Sequence, residues 1–372
     1  MSQKFGPEGI ATVSRRQVLR WAGLSLATVG VGGALAACGD ESAASSSGAK
    51  ASGALPEPTT LRVSSSKIDN YLIDEVLKQQ EIFPKYNLEV PEYLYPSSGV
   101  QGAQLMAAGT VDAAQQDTIL VLTAYANAQA GSQPAIVGMR IPETTYSIVA
   151  NDGKWPDKKA GFEEWMAALK GKTVGVTAIG AGADHQLRLA LSEAGMKYED
   201  VTPLAVGLPT AAVAQINGGQ IDAYVGITWA TSRFIAEATG GSVLFDFTAE
   251  SAPDIIKNQQ VQPLVVRQEI ANDQQDVVIA WLNAQEEAKS WIIDNPDKAA
   301  EIVNTSFLGG QSAKVAKDYV SHFVDVVVPK IQPMFKVQKD AMDLMIDVAV
   351  QQGSISEGQV TYEDIVAEFA RA

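Results

Sequence analysis

The sequence predicts an α/β protein built as two units, each a mostly parallel sheet flanked by helices, with a helical tail behind them. Three observations carry that prediction. From Thr60 to Phe245, short β-rich runs alternate with apolar stretches at helical spacing, the pattern of βαβ units. A helix that ends in glycine before a strand opening with Asp-Ala occurs at Leu105–Ala113 and again at Val213–Ala223. Past Val266 the texture turns almost wholly helical. No solenoid-type repeat is visible.

The chain opens on an address. Ser14-Arg15-Arg16-Gln17-Val18-Leu19-Arg20 precedes seventeen mostly small or apolar residues, Trp21 to Ala37, and the run stops at Cys38, the sole cysteine. A positive head before an apolar middle is an export signal. The paired arginines fit a twin-arginine address, although Val18 stands where that signal usually carries an aromatic, so the Tat and Sec routes both stay open. The run is too short and too rich in Gly and Ala to make a good membrane-spanning helix. Leu35-Ala36-Ala37-Cys38 resembles the lipobox of bacterial lipoproteins, which implies cleavage before Cys38 and a lipid on its sulfur. Such a chain is held on the outer face of a membrane without spanning it. Residues 1–37 are therefore read as a removed signal. Residues 38–59 are read as the lipidated Cys38 and a flexible Ser/Ala/Gly tether that ends in Pro56-Glu57-Pro58.

About 335 residues remain, enough for two domains. Hydrophobic residues make up 46% and charged residues 19%, which supplies sizeable cores and argues against disorder. Losing Lys4, Arg15, Arg16, Arg20 and Glu8 takes the net charge from −15 to near −18. That balance opposes nucleic-acid binding, which needs a basic footprint. With Cys38 lipidated no disulfide is available, so stability rests on the core.

The elements follow in order. Thr60–Val63 is a strand, and Leu72, Ile73, Val76 and Leu77 mark a helix starting near Asp69. Tyr86–Val90 is a strand. Ser97-Ser98-Gly99 opens a helix that Gly109 stops. Val111–Ala114 and Pro134–Met139 are strands, with a helix between them capped by Asp117 or Thr118. The pattern then repeats through strands at Tyr146–Ala150, Gly171–Val176, Val201–Val206, Ile221–Gly226 and Ser242–Phe245, each pair separated by helical spacing. Val261–Val266 is a last strand before the helical tail. The paired helix-to-strand motifs share one physics: glycine takes a left-handed C-cap and the following strand is buried on both faces.

The lipobox, Leu61-Arg62-Val63 after a linker, the two Asp-Ala strand starts and Gly171–Val176 together resemble the substrate-binding proteins of ABC importers. So does Ile221-Asp222-Ala223-Tyr224 running towards Thr228-Trp229. The similar branch is the nitrate/sulfonate/taurine and thiamine-pyrimidine-precursor group, over roughly residues 60–300. The resemblance implies a two-lobed periplasmic-binding-protein-like fold. Residues 60–141 would begin lobe 1, residues 142–257 form lobe 2, and residues 258–372 return to lobe 1 and add the C-terminal helices. It implies a non-enzymatic solute receptor that delivers a small molecule to permease subunits, works as a monomer and needs no cofactor.

Open α/β sheets bind ligands at the carboxyl ends of their strands. On lobe 1 the candidate residues are Ser65 and Ser66, Ser97, Ser98 and Gly99, Asp117 and Thr118, and Arg140. On lobe 2 they are Gly180, Ala181 and Gly182 with Asp184 and His185, and Thr228 with Trp229. The small-residue turns at Ser97–Gly99 and Gly180–Ala183 open onto helices, whose free N–H groups suit a carboxylate or sulfonate; plain N-capping is the alternative. Arg140 is a candidate for a bidentate oxyanion clasp or for a hinge salt bridge. The first expectation is a small organic anion. The second is a neutral pyrimidine stacked on Trp229 or Tyr146, with Asp117 or Asp184 meeting ring nitrogens. A ligand sensor is the third reading.

Other chemistries fail on the residues. Gly171-Lys172-Thr173 lacks the earlier glycine of a Walker A loop, Met166 standing there, and enters a strand. Gly180-x-Gly182 would need glycine at His185 to bind a dinucleotide. Two distant histidines and one cysteine give neither a metal cluster nor a hydrolytic triad.

Overall fold

The structure, a computed structural model, describes residues 53–129, 131–157 and 160–372. Residues 1–37, expected to be a signal, together with Cys38 and most of the expected tether, lie outside the described residues. The chain runs β1 (Thr59–Thr60), β2 (Val63–Ser64), α1 (Leu72–Gln79), β3 (Leu88–Glu89), α2 (Gly99–Ala107), β4 (Ala113–Gln115), α3 (Thr118–Asn127) and β5 (Pro134–Ile141). Next come β6 (Ser147–Ala150), α4 (Phe162–Ala168), β7 (Thr173–Val176), α5 (Gly182–Glu193), β8 (Thr202–Ala205), α6 (Pro209–Asn217), β9 (Ala223–Gly226), α7 (Trp229–Thr239) and β10 (Ser242–Asp246). After α8 (Asp254–Lys257) and β11 (Gln262–Arg267) the chain is helical. It runs through α9 (Gln268–Asp273), α10 (Gln275–Asp294), α11 (Pro296–Phe307), α12 (Ala313–His322), α13 (Lys339–Gln351) and α14 (Tyr362–Ile365).

Two larger sheets divide this list. The order β2-β4-β11-β5 makes one and β10-β6-β9-β7-β8 the other, with β1 and β3 as a parallel pair beside the first. The chain leaves the first sheet after Ile141, joins the second at Ser147, leaves it after Asp246 and returns at Gln262. The sheets are mixed rather than mostly parallel. β2 and β4 are parallel, as are β9, β7 and β8. The strands beside the crossings run antiparallel: β11 against β4 and β5, and β6 against β9 and β10. A strand that arrives from another lobe enters without the helical crossover a parallel neighbour needs.

The twin motifs are built alike to the atom. Gly109 and Gly219 hold φ of 67° and 66°. Behind them Thr110 N–H donates to Leu105 O and Gln220 N–H to Gln215 O, both at 2.9 Å, the six-to-one bond of a Schellman ending. The aspartates then do the same work. Asp112 accepts from Arg62 N, and Asp222 from Thr173 N, each at 2.9 Å. Each carboxylate thus pins the start of the parallel neighbour, β2 or β7.

The tail clasps both lobes. α11 packs on α1 and α12, α12 reaches α7, and α13 lies on α3. Ser312 Oγ donates to Glu237 at 2.6 Å, Val366 bridges to Ile136 in β5, and Gln351 donates to Glu193 at the end of α5. α1 shows how such a helix is fixed: Leu72, Ile73, Val76 and Leu77 are all buried at helical spacing. The helix proper starts after a 3-10 turn at Asp69–Tyr71.

Among the described residues no helix is long and apolar enough to cross a membrane.

Candidate functional site

The carboxyl ends of β2, β4, β7 and β9, with the starts of α2, α5 and α6, converge on one cavity of about 80 Å³ between the two sheets. This is where open α/β sheets place ligands. From the first lobe it is walled by Ser64, Ser65, Ser66, Tyr71, Ser98, Gly99, Gln115, Gln116, Asp117 and Gln262. From the other side come Tyr146, Thr177, Ala181, Gly182, Ala183, Leu208 and Ile227. Apart from the phenols of Tyr71 and Tyr146, Asp117 is the one ionisable side chain among the described residues lining it. No Lys, Arg or His does so.

Asp117 is held from three sides. Its Oδ1 accepts from Ile119 N (3.0 Å) and Leu120 N (3.2 Å), capping α3, and its Oδ2 accepts from Tyr146 Oη at 2.6 Å. It faces the start of α5 so closely that a Cβ on Gly182 would overlap both the carboxylate and the Tyr146 hydroxyl. Burial pushes its pKa above the usual carboxylate range, against its hydrogen bonds and the nearby His185. Burial likewise pushes Tyr146 well up, with Asp117 adding to it, so the phenol is a fixed donor to that carboxylate.

Of the residues singled out from sequence, Ser65, Ser66, Ser98, Gly99, Asp117, Ala181 and Gly182 line this cavity. The others have different employment. Arg140 is fully buried in lobe 1, where its Nη1 pairs with Asp74 at 2.5 Å and donates to Gln285 at 2.8 Å. Its Nε donates to Gln115. The oxyanion clasp is thus corrected: its charge is already matched inside the lobe, and it does not line the cavity. Thr118 is buried and donates to Gln260 O at 2.7 Å, tying α3 to the returning crossing. Ser97 is exposed and gives both N–H and hydroxyl to Gln101 Oε1.

On lobe 2, Gly180 takes the left-handed turn (φ 78°) that leads into α5. Its N–H and the Arg188 Nε donate to the buried Asp184 at 2.9 and 3.0 Å, joined by the Tyr198 hydroxyl. Asp184 is spent on that loop. His185 is half-buried on the first turn; its carbonyl accepts from Gln352 just past the end of α13, and burial lowers its pKa.

Trp229 and Thr228 sit at the start of α7, away from the cavity lining. Trp229 stacks on His322 (5.1 Å between centroids, 17°) with the Arg233 guanidinium 3.5 Å from its ring centre. Thr228 hydroxyl donates to Asp69.

Asp69 is a functional-looking residue the sequence does not advertise. It stands in lobe 1 yet caps the lobe 2 helix α7, accepting from Ala230 N (2.8 Å) and Thr231 N (3.0 Å). Gln115, Gln262, Tyr71 and Thr177 are cavity residues likewise missed. A glutamine inside the apolar run Val261–Val266 was the available signal for Gln262, since an amide in a buried strand must find partners.

The structure aligns with the alkanesulfonate-binding protein SsuA of Xanthomonas axonopodis pv. citri bound to MOPS. The TM-score is 0.65 at 18% identity, over 84% of this chain and 99% of that one. The aliphatic sulphonate-binding SsuA of Escherichia coli gives 0.62 at 20% identity, over 84% and 99%. The periplasmic nitrate-binding NrtA of Synechocystis PCC 6803 gives 0.64 at 16%, over 83% and 87%. At such identities the likeness establishes the two-lobed periplasmic-binding-protein fold. A Brucella abortus relative named as a binding protein is 33% identical over 142 residues, 38% of this chain; the match spans 42% of that relative's length. The model of the NMT1-like family matches residues 55–306, more than half of the chain, and the chain belongs to that family.

Proposed function

We propose that this protein is the extracytoplasmic solute-binding component of an ABC importer, carrying a small molecule in the cavity between its lobes. The fold shared with periplasmic binding proteins supports transport over catalysis. The signal and the Leu35–Cys38 lipobox support export and anchoring through Cys38, with the tether letting the globule reach a permease on the same membrane. Ligand closes the lobes because both lobes contribute groups to one cavity, so binding energy is complete only in the shut form.

One observation carries the ligand class: among the described residues, the cavity is lined by the Asp117 carboxylate and by no cationic side chain. Two of the lobe 2 helix starts that would attract an anion already face lobe 1 carboxylates, α7 meeting Asp69 and α5 meeting Asp117, and a third, α6, opens on Pro209, which has no N–H to offer. A second anion at α7 or α5 adds like-charge repulsion. The reading is therefore an uncharged polar ligand of the pyrimidine type, offering N–H to Asp117 and a flat face to Tyr71 or Tyr146. The sulfonate- and nitrate-binding neighbours motivate the rival, an oxyanion seated at the start of α2 beside Ser98 and Gly99, where the Ser98 hydroxyl already takes the Gln101 N–H.

A thermal-shift and calorimetric panel of pyrimidines, alkanesulfonates, carboxylates and nitrate separates them. Ligand at a hundredfold excess over Kd adds about 2.7 kcal/mol of stability. A response confined to pyrimidines supports the reading; one confined to oxyanions overturns the ligand class and leaves the receptor role standing.

A further inference from the structure

We propose that Arg140, though outside the cavity, is a positioning residue that fixes the hydrogen-bond polarity of the cavity wall. Resting on the reading of that cavity as the ligand site, the proposal concerns two of its residues, Gln262 and Ser65.

A guanidinium can only donate. Arg140 Nε donates to Gln115 Oε1, so the amide of Gln115 has one orientation open to it. Its Nε2 then points the other way and donates to Gln262 Oε1 at 2.6 Å. Flipping Gln262 would set two NH2 groups face to face, so its oxygen is committed and its NH2 is the end left over. That NH2 has no protein partner among the described residues, and Gln262 lines the cavity. The sheet enforces the meeting: Leu264 of β11 pairs with Gln115 of β4, which puts Gln262, two residues away, on the same face as Gln115.

The second branch runs through Asp74. Its Oδ1 takes Arg140 Nη1 at 2.5 Å and its Oδ2 takes the Ser65 hydroxyl at 2.8 Å. A carboxylate only accepts, so the Ser65 proton is turned inward. What Ser65 offers the cavity is an oxygen lone pair. One buried ion pair thereby sets a donor at Gln262 and an acceptor at Ser65. A ligand that fits presents an acceptor to the first and a donor to the second.

Gln115→Glu tests this with almost no change of shape. The carboxylate it introduces accepts from Arg140 and from Gln262 alike, so Gln262 turns its NH2 inward and its oxygen to the cavity. In protein with 15N-labelled glutamine side chains, the wild-type Gln262 NH2 exchanges with solvent at least tenfold faster than that of Gln115. In the variant the Gln262 NH2 becomes the protected one. A Gln262 NH2 protected in the wild type, or exchanging equally fast in both proteins, overturns the proposal, and the wild-type arm stands even if the variant folds poorly. Cytosine and uracil, whose edges reverse donor and acceptor at N3 and at the C4 substituent, supply the binding arm: their affinity ratio shifts at least tenfold between the two proteins. Binding with an unshifted ratio counts against Arg140. If neither pyrimidine binds while the exchange pattern holds, the ligand class above fails and the role of Arg140 stands.

Discussion

At the scale of single residues, charge and burial decide what each group is for. Arg140 and Asp74 are both buried, with side chains 1% and 3% exposed, and such a pair is costly to break on one side because the other charge is stranded. Arg140→Met is expected to lose about 3–5 kcal/mol in urea unfolding, and Arg140→Met with Asp74→Asn to recover part of that loss. A ligand-clasping arginine would instead leave stability unchanged. Asp117 gives the opposite sign. Its folded pKa is raised by burial, so the neutral acid is favoured by the fold, and that contribution is lost as pH rises through the folded value. Asp117→Asn is therefore expected to melt higher than wild type at pH 7, with the gap closing below the ordinary aspartate value of about 3.9; a gap independent of pH would contradict it. The sequence exposes Asp117 because it precedes an apolar helix as an N-cap does. It hides the fate of Arg140, because burial against Asp74, 66 residues away, leaves no local trace.

At the scale of elements, local rules carried far where the chain's own neighbours supply the chemistry. Gly109, Gly219 and the two Asp-Ala starts are legible because a Schellman ending and a strand start span only a few residues. The cap of α7 is not legible, since Thr228 reads as an N-cap while the working cap is Asp69, about 160 residues earlier. Asp69→Ala removes acceptors for Ala230 N and Thr231 N and is expected to cost about 1–2 kcal/mol. It also loosens the lobes, which a larger radius of gyration in X-ray scattering would report. An unchanged radius would confine Asp69 to helix capping. Gly182 tests the approach of the lobes without weakening the helix. Gly182→Ala favours α5 intrinsically, yet its Cβ would overlap Tyr146 and Asp117. Helix content is expected to persist while affinity for the ligand falls more than tenfold; full affinity in the variant would show that the cavity does not need this contact.

For the whole molecule, the question is what holds two lobes joined by two short crossings. The first crossing carries Glu143, which is buried and accepts from His322 (2.9 Å) and Lys330 (2.5 Å) of the tail. His322 in turn stacks on Trp229 of lobe 2. One carboxylate thus links the crossing to the tail, and the tail to lobe 2. The sequence showed a helical tail but not its grip, because amphipathic spacing says which face is buried and not against what. Burial works to raise the Glu143 pKa, but the hydrogen bonds from His322 and Lys330 outweigh it and hold the carboxyl below its usual range. A depressed acid contributes stability above its unfolded value, about 4.3, that is lost as pH falls through the folded value. Glu143→Gln is expected to unfold about 1.5–3 kcal/mol more easily at pH 7, the range for hydrogen bonds to charged groups. Below the folded value wild-type Glu143 is itself neutral, so the two unfolding curves should converge there. Convergence would place the clamp in the charge of Glu143. A deficit that persists at low pH would place it in packing at the crossing, and the tail would then hold the lobes by its apolar face alone.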